Sequence, residues 1–323
     1  MISNLGQNLV FLLSLPRSGS TLLSALLNQL PDVYCPPEPW LALKAASIVS
    51  PGNASNIWNE QVATKAVSEF FAGEFPTSPL RAFLASAYNE KLSPTVKSCF
   101  VDKTPRYYHI LDKLEVLFPK ARFIWLVRHP LDVAVSYRQT WNINVDVLTG
   151  KIFRPESYDF LKGWPRLAAD FAPPSHRRFH LRYEDLVADP TQCLANLAKF
   201  LEVRSTDVDI TTFRPETLHQ FAHASVGDLK ILQTHEVHGR SVGQWAKELS
   251  DDELTELVSI LGLASLEAHH YHDIRPELQR RHLPFPDEDQ VVALREERLA
   301  QTWDEVADLR SRLATAEEHG AKL

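Results

Sequence analysis

Hydrophobic positions along this chain follow two rhythms. Short apolar runs stand at residues 9–15, 99–101 and 122–127, and residues 178–183 read as a fourth such segment. Runs of this length predict strands buried on both faces. Between them apolar residues recur at helical spacing, as in Leu22, Leu23, Leu26, Leu27 and Leu30, and again in Leu254, Leu257, Ile260 and Leu261. The spacing predicts helices over 21–30, from 105 to about 118, over 130–141 and 191–201, and beyond 250. Leu80, Phe83, Leu84, Ala87 and Tyr88 form a further stripe, read either as core packing or as a wall over a substrate site. Pro36, Pro37 and Pro39 rule out a regular helix over 32–40. Residues 142–175 read as irregular with some helix, and 203–250 as polar and loop-rich. Strands alternating with helices predict an α/β fold, a three-layer arrangement with a central parallel sheet flanked by helices.

The character changes after Pro284 and Pro286. Val292, Leu299, Val306 and Leu313 recur every seven residues, with Trp303 and Leu309 between them. The expected division is therefore a domain over 1–284 and a charged helical tail over 285–323. The heptad leaves two readings open, a coiled coil that makes a homodimer or a helix folded back on its own domain.

Polar residues cluster where strands end. Leu15-Pro16-Arg17-Ser18-Gly19-Ser20-Thr21-Leu22 joins the first strand to the first helix. A strand–loop–helix junction aims backbone N–H groups and the positive end of the helix dipole at one spot, which suits an anion. Arg17 adds a planar cation, and Ser18, Ser20 and Thr21 add hydroxyls. The competing reading is a turn capped by Ser18 or Ser20. The loop lacks the lysine of a Walker A motif, which counts against an ATP-dependent phosphotransferase. Asp102-Lys103-Thr104-Pro105 and Arg128-His129-Pro130 leave the next two long strands at the same end. In parallel sheets ligands bind beyond the strand C-termini, so Arg17, Lys103 and Arg128 on one rim point to a polyanionic ligand, with salt-bridged structural arginines as the competing reading.

Composition narrows the partners. The net charge is −7, from 34 basic and 41 acidic residues, and residues 287–323 hold ten acidic and five basic ones. The remaining body is close to neutral, so no general nucleic-acid surface is expected. Cys35, Cys99 and Cys193 are odd in number and far apart, as in a reducing compartment. With no recognisable signal peptide and no apolar run long enough to span a membrane, the expectation is a cytoplasmic protein.

Five blocks together resemble a known family, the sulfotransferases that use 3′-phosphoadenosine 5′-phosphosulfate (PAPS). Pro16-Arg17-Ser18-Gly19-Ser20-Thr21 resembles their 5′-phosphosulfate loop, and Arg128 followed by Ser136 resembles their 3′-phosphate motif. Asp102-Lys103-Thr104-Pro105 is similar to their central lysine segment. Arg182-Tyr183-Glu184-Asp185-Leu186 and Ser241-Val242-Gly243-Gln244-Trp245 resemble two further blocks. The likeness runs in order from about residue 8 to 250. It is greatest to the bacterial, tyrosylprotein-type and polyketide-associated branches; the cytosolic steroid and phenol enzymes carry a different first loop.

The resemblance implies a P-loop-like fold and PAPS as co-substrate. It implies that Arg17, Ser18, Gly19, Ser20, Thr21 and Leu22 hold the 5′ end, and that Arg128 and Ser136 hold the 3′-phosphate. Arg240 would close over the nucleotide. Tyr183 either contacts it or is a core tyrosine. Lys103, with Arg17, would meet charge on the departing phosphate. Glu38 falls where one branch of the family has its base, with His109 and His129 as alternatives. Pro36-Pro37-Glu38-Pro39-Trp40 resembles the polyketide-associated branch and departs from the paired acids of the tyrosylprotein type. The expected acceptor is a hydroxyl of a small molecule, glycan, lipid or carrier-bound intermediate. No metal is needed in this scheme. The rival readings are a P-loop phosphotransferase and a non-enzymatic scaffold with a degenerate nucleotide site.

Overall fold

The computed structural model describes residues 1–46, 60–72, 76–205 and 237–301. The chain divides into two compact units, one of residues 1–128 and 173–240, the other of residues 129–172 and 241–323.

The first unit holds five parallel strands: β1 (Leu9–Ser14), β2 (Val33–Tyr34), β3 (Cys99–Lys103), β4 (Arg122–Val127) and β5 (Arg178–Arg182), in the order β2-β3-β1-β4-β5. Its helices are α1 (Ser20–Leu27), α2 (Leu41–Ala46), α3 (Glu60–Phe70), α4 (Thr77–Leu92), a 3₁₀ turn (Pro105–Ile110), α5 (Leu111–Leu117), and, in the later stretch, segments at Tyr183–Ala188 and Pro190–Leu201. Alternate strand residues serve opposite layers. Val10, Leu12, Ile124, Leu126 and Leu181 pack with Leu23, Leu26 and Leu27 of α1 and with Leu194, Leu197 and Leu201. On the other face the Phe11 ring meets Tyr107, Phe118 and Phe123 at 5.6–6.0 Å, and Phe100 meets Tyr88 at 4.8 Å. This is the three-layer, all-parallel arrangement expected from the pattern.

Three details differ from expectation. The two-residue edge strand β2 stands in the stretch 32–40, where the pattern ruled out a helix and gave no strand. The segment after Pro105 is not one helix but a 3₁₀ turn followed by α5. In α4 the buried face is Leu80, Leu84, Ala85, Tyr88 and Leu92, while Phe83 is exposed.

The second unit is helical: α6 (Pro130–Trp141), α7 (Val145–Leu148), a π turn (Asp159–Gly163) and α8 (Trp164–Phe171). With the two segments of the first unit numbered α9 (Tyr183–Ala188) and α10 (Pro190–Leu201), there follow α11 (Trp245–Glu248), α12 (Asp251–Leu261), α13 (Leu263–Ala268) and α14 (Ile274–Arg280). Buried polar pairs tie it together: the Tyr137 hydroxyl donates to Asp159 at 2.7 Å, and the Trp164 indole to Ser265 at 3.0 Å. Asp132, buried in the first turn of α6, accepts the N–H groups of Gly243 and Trp245 at 2.7 and 2.9 Å. The Ser241–Trp245 block is thereby fastened to α6.

Residues 288–301 are helical. Val291 is buried and Val292 exposed, so the face turned inward is one residue out of phase with the heptad. Arg298 reaches Glu256 at 3.8 Å and packs beside Gly150. This part of the tail folds back on its own unit. Trp303, Val306, Leu309 and Leu313 lie outside the described residues.

Candidate active site

Sheet register gathers the strand ends. Leu12 pairs with Lys103, Ser14 with Leu126, and Val127 with Arg182, so the Arg17 loop, Lys103, Arg128 and Tyr183 leave the sheet at one edge.

The loop after β1 is sharply turned. Arg17 has φ +68° and Gly19 φ +88°, both left-handed. Glycine is required at 19 for a second reason: a Cβ there would lie 2.5 Å from the Tyr183 ring. Gly19 also occupies the N-cap of α1, so neither Ser18 nor Ser20 is that cap. The N–H groups of a first helical turn have no intrahelical acceptor. Left-handed residues in such a loop turn further N–H groups inward, which makes a nest for an anion. At its base the buried Ser14 hydroxyl has no hydrogen-bond partner among the described residues. The left-handed turn at Arg17 and Gly19, an orphaned hydroxyl, and Arg17, Lys103 and Arg128 at the same strand edge fit a phosphosulfate nucleotide. Thr21 is buried and Leu22 half-buried in the first turn.

Arg128 is 7% exposed and already organised. Its Nη1 donates to the Arg17 carbonyl at 2.9 Å, and its guanidinium lies 5.0 Å from the centroid of the Tyr183 ring. Tyr183, the first residue of α9, is thus wedged between Gly19 and Arg128. Ser136 lies half-buried on α6 in the second unit. Arg240 is exposed at the last position of the first unit.

Lys103 and Glu38 form a buried ion pair, Nζ to Oε1 at 2.9 Å, with side-chain exposures of 1% and 8%. The other carboxylate oxygen of Glu38 accepts the Trp40 indole N–H at 3.0 Å. Beside them Asp102 is fully buried. Burial pushes its carboxyl up to about 6, against the opposing pull of the Tyr88, Tyr107 and Thr104 hydroxyls and of Lys103. The pattern of residues did not point to Trp40, Tyr88 or Tyr107 as partners here; Trp40 and Tyr107 lie close in sequence to Glu38 and to Asp102-Lys103-Thr104, whereas Tyr88 gave no signal beyond its place in the α4 stripe.

The histidines named as alternative bases have ring partners of their own. His109 is exposed with its ring against Tyr108. His129 belongs to the second unit, where it stacks on Trp245 at 5.1 Å, accepts the Leu131 N–H through Nδ1, and approaches Asp273 through Nε2 at 3.3 Å.

A model of the sulfotransferase family matches residues 9–207, which span all five strands. The chain belongs to the sulfotransferase family. The nodulation protein NoeE of Sinorhizobium fredii is 32% identical over 319 residues, covering 91% of this chain and 72% of NoeE. Protein-tyrosine sulfotransferase 1 of Danio rerio is 28% identical over 217 residues, 64% of this chain and 56% of that longer protein. Among solved structures, the sulfotransferase domain of the Synechococcus PCC 7002 olefin synthase superposes with a TM-score of 0.50 at 25% identity, covering 81% of this chain and 93% of the domain. This sulfotransferase is accordingly a PAPS-dependent enzyme with the P-loop-like fold of its family. Among the described residues no helix is long and apolar enough to cross a membrane.

Proposed function

We propose that this sulfotransferase moves the sulfuryl group of PAPS to a hydroxyl of a small-molecule, glycan, lipid or carrier-bound acceptor, with Glu38 as the base. The observation that carries this reading is the buried Lys103–Glu38 pair beside the Arg17 loop. It sets a lysine amine and a carboxylate side by side at the strand edge where the anion cradle opens. When bound, PAPS supplies a sulfuryl group already attached to a phosphate leaving group. The loop from Arg17 to Leu22 would hold the 5′ end through N–H groups and hydroxyls. Arg128, fixed by the Arg17 carbonyl and Tyr183, would hold the 3′-phosphate together with Ser136. Arg240 would cover the nucleotide. Lys103 and Arg17 would stabilise negative charge gained by the leaving phosphate. Glu38 would take the acceptor's hydroxyl proton on the oxygen now facing Lys103, while the Trp40 indole holds the other oxygen.

The fixed cations do the electrostatic work, so the scheme needs no metal. The single glutamate between prolines, in place of paired acids, supports an acceptor other than a protein tyrosine. The three cysteines are free and buried, in keeping with a cytoplasmic location.

Calorimetry with 3′-phosphoadenosine 5′-phosphate (PAP), beside ATP with magnesium, tests the nucleotide assignment. Micromolar binding of PAP alone is expected, weakened at least about 100-fold in Arg128→Ala through loss of a charge-assisted bidentate contact. Equal binding of ATP, or wild-type PAP affinity in the variant, overturns it. Glu38→Gln is expected to retain PAP binding and lose turnover by about 100-fold or more.

A further inference from the structure

Asp102 adjoins the Lys103–Glu38 pair and has no part in the chemistry just described. Its carboxyl is buried at the end of β3 and accepts three hydroxyls. Tyr88 and Tyr107 donate to Oδ2 at 2.5 and 2.7 Å, and Thr104 donates to Oδ1 at 2.9 Å. A hydroxyl carries one proton, so each of these has only lone pairs left for other partners. Two of them use those lone pairs on the same neighbouring segment. Thr104 Oγ1 accepts the backbone N–H of Trp40 at 3.2 Å, and Tyr107 Oη accepts that of Ala42 at 3.1 Å. Trp40 stands at φ +54°, a conformation a bulky residue keeps only where its surroundings hold it. From there its indole reaches back to Glu38 Oε2.

We propose that Asp102 is a positioning residue for sulfuryl transfer: an acceptor-only carboxylate that sets the proton direction of the Thr104 and Tyr107 hydroxyls and thereby holds residues 38–42 with Glu38 facing Lys103. The proposal rests on the reading of Glu38 as base. It separates charge from shape. In Asp102→Asn the amide oxygen keeps both tyrosines, but the amide NH₂ faces Thr104. The Thr104 hydroxyl then receives two N–H donors, and its own proton loses the carboxylate and is left with the Tyr107 oxygen, which already accepts the Ala42 N–H. The arm to Trp40 is weakened without emptying the site.

Hydrogen exchange at the backbone amides of Trp40 and Ala42 in the full chain is the direct readout. In Asp102→Asn the Trp40 amide is expected to exchange at least about tenfold faster, with amides of β1 and β4 unchanged. In parallel, transfer to water is followed as labelled sulfate released from PAPS: PAPS and water give PAP, sulfate and two protons. A kcat lower by about 10- to 100-fold, with KM for PAPS within about twofold, is expected from misplacement of a base rather than loss of nucleotide binding. Unchanged exchange at both amides overturns the proposal, as does faster exchange with wild-type kcat. Should Asp102→Asn lose protection throughout, the pair Thr104→Val and Thr104→Ser decides on the same amide. Fast exchange in the valine variant with rescue by serine supports it, and equal behaviour overturns it. Full turnover in Glu38→Gln would remove the base reading alone, because the exchange result does not depend on it.

Discussion

Gly19 shows how much a single position carries. It adopts φ +88°, caps α1 and lies against the Tyr183 ring that also supports Arg128. In Gly19→Ala the new methyl must enter a space 2.5 Å from that ring, on a backbone unfavourable to L residues by about 1–2 kcal/mol. We expect a lower melting temperature and PAP binding weakened by about tenfold or more, read by calorimetry. Adding Tyr183→Ala should recover part of the thermal loss, since the obstacle is then gone, but not the affinity. The anion loop was legible from residues because a strand, a glycine, hydroxyls and an arginine follow one another in sequence. The environment of Glu38 was not. Tyr88 and Tyr107 stand 14 and 5 residues from the carboxyl that links them, and neither is distinguishable from a core tyrosine until the fold joins them.

At the scale of elements, α4 separates periodicity from burial. Leu84 and Phe83 are adjacent and both fit a helical stripe, yet Leu84 is fully buried and Phe83 is 52% exposed. Leu84→Ala is expected to cost about 2–5 kcal/mol in urea denaturation through lost burial and a cavity. Phe83→Ala should stay within about 1 kcal/mol. A stripe with apolar residues at both ends of its arc leaves the rotation of a helix undetermined, and neighbours decide it. The same ambiguity moved the tail's inward position from Val292 to Val291. β2 escaped notice for a different reason: two residues carry no period, and only pairing with Cys99 and Phe100 makes Val33–Tyr34 a strand. The longer strands and α6, α10 and α12 were readable because apolar runs, Pro130, Asp189-Pro190 and the spacing of Leu254, Leu257, Ile260 and Leu261 mark them plainly.

For the molecule as a whole, two carboxyls pull stability in opposite directions with pH. Burial raises Asp102 to about 6, so the fold holds its proton more tightly than the unfolded chain does. Its favourable contribution is complete below about pH 4 and disappears as pH rises through 6, a difference of order 3 kcal/mol. The Arg280 and Arg281 guanidiniums hold Glu277 down at about 2, so its contribution is present above about pH 4.5 and fades toward pH 2. Urea midpoints of wild type and Asp102→Asn should therefore diverge between about pH 4 and 7.5, with the variant relatively more stable at the higher pH. Parallel curves would remove the buried charge as their cause.

Strand order also governs how the chain is made. β1 is wholly apolar but for Ser14, and it pairs with β3 and β4, whose residues begin at 99 and 122. At synthesis rates of about 5–20 residues per second, roughly 5–20 s pass before its first neighbour leaves the ribosome. During that interval Leu9-Val10-Phe11-Leu12-Leu13 is an unpaired, uncharged, β-prone stretch of the kind that self-associates. The segment that will position the anion cradle is thus also a stretch that the nascent chain must keep from self-association.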